Sequence, residues 1–116
     1  ARLLQAAVRH AQAALPPAVA WLSLGEGWTG DEALAIAVYA AASTRSFEDA
    51  IRVAANHDGD SDSTASIAGQ LVGARDGILA VPHAWVRRLD VLPDALALLA
   101  RFTNANNGNR NPNTRI

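Results

Sequence analysis

Cysteine is absent from the 116 residues. That excludes disulfides, zinc–thiolate sites and thiol nucleophiles, and it fits a reducing compartment. Aromatic residues make up only 5% of the chain and β-branched residues are sparse, whereas much of the 50% hydrophobic content is alanine. Alanine is the strongest helix former, so this balance favours closely spaced helices over a β-sandwich. A formal net charge of −1 leaves no electrostatic footprint for nucleic acid or an anionic membrane. No apolar run reaches the roughly 20 residues of a membrane span. The start of the chain lacks the charged, apolar and small-residue layout of a signal peptide. No β-alternation of useful length and no internal repeat is visible.

What is present is helical patterning almost throughout, the pattern of an all-α compact helical bundle. Leu3, Leu4, Ala7, Val8 and Ala11 recur at helical spacing over 2–14, and Pro16-Pro17 breaks the run. Thr29 with Glu32 three residues on forms a capping-box signature for a helix at 30–42. Ser46 starts another at 47–55, and Asp60 or Ser61 caps one at 62–76. Within that helix Ile67, Leu71 and Ala74 form an apolar stripe, and Ala65, Gly69 and Gly73 a smooth one open to a neighbouring backbone. Pro82 and Pro93 mark helix starts for 83–90 and 93–102. Two regions follow: a helical portion, 1–102, and a tail, 103–116. The tail's Asn104, Asn106, Asn107, Asn109, Asn111 and Asn113 offer too little apolar surface to fold alone.

The chemistry concentrates in residues 56–69. Asp58, Asp60 and Asp62 stand within one short turn before a helix, with Ser61, Ser63 and Thr64 beside them. Like charges that close repel unless a cation neutralises them, and hard oxygen ligands suit Mg²⁺, Mn²⁺ or Ca²⁺. The alternative is a solvated acidic turn that caps the helix. An EF-hand is excluded on spacing. Ser63 stands where its loop needs glycine, and Gly69 where it needs a bidentate glutamate.

Gly25-Glu26-Gly27-Trp28-Thr29-Gly30 matches G-x-G-x-x-G and follows a run, Ala18 to Leu24, that could be a strand. A dinucleotide fold needs a second strand about 20 residues on, where helix-like sequence stands instead. A flexible loop feeding a capped helix accounts for the glycines. Trp28 is either a core anchor or a stacking platform for a base or ribose. His57 beside the acidic turn reads as a surface or structurally hydrogen-bonded histidine, or as one that orients a ligand. Glu26 is a solvated loop residue or supports a ligand at one remove. His10 lacks a partner pattern, His83 opens a helix, and Arg87-Arg88 is too short for a basic patch.

Taken in order, Gly25-Glu26-Gly27-Trp28, Asp31 to Tyr39, Ser46 to Ile51, Asn56 to Thr64, Ile67-Ala68-Gly69, Gly73, Val81-Pro82 and Trp85 resemble the C-terminal half of the ADP-ribosylglycohydrolase family. This is the dinitrogenase-reductase-activating type of (ADP-ribosyl)hydrolase, and the resemblance covers roughly residues 20–100. It implies a portion of a larger all-helical enzyme in which two Mg²⁺ ions (or Mn²⁺) serve hydrolysis of the bond joining ADP-ribose to an acceptor. By resemblance Asp60, Asp62 and Ser63 match the second metal-binding motif, with Asp62 shared by both ions. Gly25, Gly27 and Trp28 match the segment lining the nucleotide. The family's first metal motif, Thr-Asp-Asp with a nearby catalytic acidic residue, has no counterpart in these residues, so the catalytic residue stays unassigned. The family's domain is well over twice as long as this chain.

The resulting expectation is a piece of a larger cytoplasmic hydrolase. Its partners would be ADP-ribose or an ADP-ribosylated substrate and the N-terminal part of the same protein. The competing class is a non-catalytic helical module that binds a cation or ADP-ribose. If the chain were active unaided, the proton-transfer residue would be sought among Glu26, Glu32, His57 and Asp58.

Overall fold

The computed structural model describes residues 2–108. Among them there is no strand. The helices are α1 (Arg2–Gln12), α2 (Pro17–Leu24), α3 (Gly30–Ser43), α4 (Phe47–Ala55), α5 (Ser61–Asp76), α6 (His83–Val86) and α7 (Leu92–Gly108), with a 3₁₀ turn at Ile78–Ala80. The all-α expectation holds. Contacts divide the chain into two units, 1–82 and 83–116.

In the first unit, α1 and α2 pack on α3, and α3 and α4 pack on α5. Two small cores result. Ala7, Ala20, Leu24, Ala35, Ile36 and Tyr39 form one, with Trp21 edge-on to Tyr39 at 5.2 Å. Full burial of Leu24 and Ile36 contributes about 1.5–3 kcal/mol each. The Tyr39 hydroxyl donates to the Leu15 carbonyl, and burial pushes the phenol's pKa up. The other core is Ala37, Ala40, Ala54 and Ala68, where α3, α4 and α5 meet.

That second core corrects the stripes expected on α5. Its buried face is Thr64, Ala68 and Val72, whereas Leu71 and Ala74 are exposed. Gly69 faces the side chains of Ile51 and Phe47 rather than a backbone, and Gly73 faces open space. Alanine, not glycine, sets the close helix approach.

Helix boundaries follow local chemistry. Beyond the end of α1 at Gln12 the chain turns at Ala14, whose φ of 52° is left-handed, while the Leu15 N–H returns to the His10 carbonyl at 3.0 Å. Pro16 caps α2 and Pro17 opens it, so Ala18–Leu24 is helix and not the strand a dinucleotide fold requires. The capping box on α3 does not form. Thr29 Oγ1 donates to Asp31 Oδ1 at 2.6 Å, and Glu32 is engaged elsewhere. Ser46 does cap α4, accepting the Asp49 N–H at 3.1 Å.

In the second unit, α6 is shorter than the expected 83–90. After Val86 the chain turns through i→i+3 bonds, Arg88 N–H to Trp85 and Leu89 N–H to Val86. α7 is longer than expected. It carries Thr103 to Gly108 in helix, and the rest of the Asn-rich tail, 109–116, lies outside the described residues.

Candidate functional site

The acidic turn and the Gly-x-Gly loop form one assembly. The Asp60 N–H donates to the Glu26 carbonyl oxygen at 2.8 Å. A Cβ on Gly59 would lie 1.9 Å from that same oxygen, so only glycine admits the contact. Gly27 is buried against Thr64 Cγ2 and Asp60, at a φ of 84° that favours glycine. Its N–H donates to Glu32 Oε2 at 3.2 Å. Gly25, at φ 90°, closes α2 by donating to the Trp21 carbonyl.

Asp60 is the N-cap of α5, and its Oδ1 accepts the Ser63 N–H at 3.4 Å. Hydrogen bonding with the side chain of Asp62, then with Ser63, holds the Asp60 carboxyl below its ordinary range. Asp60 and Ser63 are half-buried; Asp62 and Asp58 are exposed. Capping engages the Oδ1 of Asp60. Two neighbouring carboxyls and a serine at a helix N-terminus form a hard-oxygen donor set. Among the described residues, however, no group of three or more His, Asp or Glu side chains converges.

Trp28 is 66% exposed, which removes the core-anchor alternative. Its indole N–H donates to Glu26 Oε2 at 3.0 Å. Glu26 thus ties both loops, through its carbonyl to Asp60 and through its carboxylate to Trp28. A cleft of about 620 Å³ opens beside them, lined by Ala18, Trp21, Leu22, Gly25, Glu26, Asn56, His57 and Asp58. Of the residues expected to bind nucleotide, Gly25 lines it; Gly27 and Trp28 do not.

Sequence reasoning missed Thr64 and undervalued Gly59. Thr64 is fully buried, and its hydroxyl donates to the Ala54 carbonyl at 2.7 Å while lying 2.8 Å from His57 Nε2. The available signal was a β-branched hydroxyl in a helix's first turn, a place where threonine bonds back to the chain. His57 proves structurally hydrogen-bonded. Its Nδ1 accepts the Gly59 N–H at 3.1 Å, and its ring lies 5.7 Å from that of Trp21. His10, which showed no partner pattern, meets Ser23 Oγ at 2.6 Å. His83, Arg87 and Arg88 are exposed in the other unit. No helix among the described residues is long and apolar enough to cross a membrane.

The ADP-ribosylglycohydrolase family profile matches residues 1–112, and the chain belongs to that family. Two curated relatives carry the name ADP-ribosylarginine hydrolase Tri1. The one from Pseudomonas putida (strain GB-1) is 41% identical over 58 residues, and the one from Serratia proteamaculans (strain 568) is 40% identical over 58. Each match covers 50% of this chain and 16% of the relative. No solved structure gives a significant match.

Proposed function

We propose that this chain supplies the second metal-binding motif of a Mg²⁺-dependent hydrolase that releases ADP-ribose from a modified acceptor. The observation that carries the reading is the locked pair of loops: Asp60 and Asp62 at the start of α5, fixed through Glu26 to the Gly25–Trp28 segment beside a cleft. In this reading Asp60 and Asp62 give the negative charge and Ser63 a neutral oxygen. Mg²⁺, or Mn²⁺ in its place, would be held by these three side chains. When bound, such a cation polarises a ribose hydroxyl and acidifies a water.

Cleavage at the anomeric carbon passes through an oxocarbenium-like state and needs water on the face opposite the leaving group. The contribution of this chain is orientation. The glycines at 25 and 27 permit close backbone approach, and the exposed Trp28 ring offers a face to a base or ribose. The relatives' name points to arginine as the acceptor. The exposed Trp28 ring near the cleft also suits a second reading, a module that binds ADP-ribose or a cation without turnover.

The test joins this chain, in cis or in trans, to a family segment bearing Thr-Asp-Asp and measures release of ADP-ribose from ADP-ribosylarginine. Release should depend on Mg²⁺ and stop with chelator. Asp62→Ala should abolish it, while Asp58→Ala should do less. Equal losses would reduce the motif to a generic acidic turn. Tight ADP-ribose binding without release from any acceptor would establish the module.

A further inference from the structure

His57 sits between the cleft and the acidic turn, and the hydrogen bonds on its two ring nitrogens specify a single tautomer. The Gly59 N–H can only donate, so Nδ1 accepts. On the other side, Thr64 Oγ1 has one proton and three carbonyl oxygens within reach: Ala54 at 2.7 Å, Asp60 at 3.1 Å and Ser61 at 3.1 Å. That proton goes to a carbonyl, which leaves a lone pair of Oγ1 to accept from Nε2–H. The Gly59 side requires the Nε2–H tautomer, and the Thr64 side accommodates it.

The ring therefore bridges the two ends of the turn, the Gly59 backbone before Asp60 and the Thr64 hydroxyl after Ser63. Thr64 carries the tie onward to the last turn of α4 through Ala54, and Trp21 stands against the ring at 5.7 Å. The Thr64 hydroxyl also reaches back to the Asp60 and Ser61 carbonyls, and the ring adds the tie from that hydroxyl across to the Gly59 backbone. The Asp60 cap acts only within the turn.

We propose that His57 is a positioning residue: through Gly59 and Thr64 it fixes the orientation of the Asp60-Asp62-Ser63 turn, and thereby its affinity for a divalent cation, without touching the cation. The cation part rests on the proposed function; the ordering of the turn does not. Removing a side chain that orients ligands costs metal affinity about 10–100-fold, and the lower end applies here because His57 acts through the backbone and Thr64.

The experiment is NMR on the full chain, with Mn²⁺ as the probe. The ring ¹⁵N shifts should report protonated Nε2 and bare Nδ1; the opposite tautomer overturns the proposal. His57→Ala should move the amide resonances of Gly59–Thr64 while leaving those of α1 in place; unmoved resonances overturn it. His57→Asn keeps an acceptor for Gly59 and His57→Gln a donor for Thr64, so each should restore part of the wild-type pattern, even if the alanine variant folds poorly. Failure of both to improve on alanine overturns the hydrogen-bond mechanism. In wild type, Mn²⁺ should broaden the Asp60–Ser63 amides, with His57→Ala requiring on the order of 10-fold more Mn²⁺. Unchanged Mn²⁺ affinity in that variant overturns the proposal. Absence of any broadening in wild type would sink the metal reading instead, and the tautomer and amide shifts would still decide the role of His57.

Discussion

Gly59→Ala should damage this protein more than its modest chemistry implies. The Glu26 carbonyl oxygen occupies the space a Cβ would take, at 1.9 Å. Carbon and carbonyl oxygen ordinarily approach no closer than about 3.3 Å. The loops must therefore part by about 1.4 Å, which stretches the 2.8 Å bond from Asp60 N–H to Glu26 beyond hydrogen-bonding range. Loss of that bond costs about 0.5–1.5 kcal/mol and the forced displacement about 1–3 kcal/mol more. Together they give about 1.5–4.5 kcal/mol, a large share of the ~5–15 kcal/mol that holds a typical domain folded. With a urea slope of about 1.5 kcal/mol/M, the unfolding midpoint should fall by about 2 M. Gly73→Ala is the matched control. That residue lies mid-helix with nothing within 4 Å of an added Cβ, so alanine should stabilise by about 0.5–1 kcal/mol. A Gly59→Ala midpoint equal to wild type would refute the tight docking of the two loops, and with it the assembly on which the site is built.

Other outcomes follow from local geometry. Ser46→Ala should cost about 1 kcal/mol in urea unfolding because it removes a formed cap, whereas Thr29→Ala, which removes none, should cost clearly less. Ala14→Gly should raise stability by about 0.5–1 kcal/mol, since it relieves a left-handed alanine just beyond α1. In an NMR acid titration, Asp60 should protonate below an ordinary aspartate. Because its folded pKa is depressed, the stability it contributes is present above the unfolded value and is lost as pH falls through the folded one; an Asp60 midpoint at or above the ordinary value would contradict the bonding with Asp62 and Ser63.

Helix identity was readable because alanine-rich periodicity and turn residues agreed along the chain. Ser46 and Asp60 were found as caps, and α4 matches its expected span of 47–55. Thr29 misled because its partner Glu32 is drawn to Gly27 by the tight loop, a tertiary demand that overrides a local signature. The buried face of α5 misled for a related reason. Leu71 looks like core but is exposed, because the alanine seam buries Ala68 beside Thr64 and Val72, and Ile67 packs against that seam only in part. At the site, the acids were visible as a charge cluster, whereas Thr64 and Gly59 matter through contacts 10 and 33 residues away in sequence, with Ala54 and Glu26. Spacing within a motif carries no trace of such partners.

The alanine seam between α3, α4 and α5 also bears on how this scaffold can change. Alanine has no rotamers, so Ala37, Ala40, Ala54 and Ala68 contribute no repacking freedom and lose no side-chain entropy on folding. Variation at these four positions is lopsided: nearly every accessible substitution enlarges the side chain and wedges the helices apart. Drift that would merely soften a leucine core would here shift α5 bodily and carry the acidic turn with it. New specificities in such a scaffold should therefore arise at the loop tips, around Trp28 and Asp58, while the seam stays fixed.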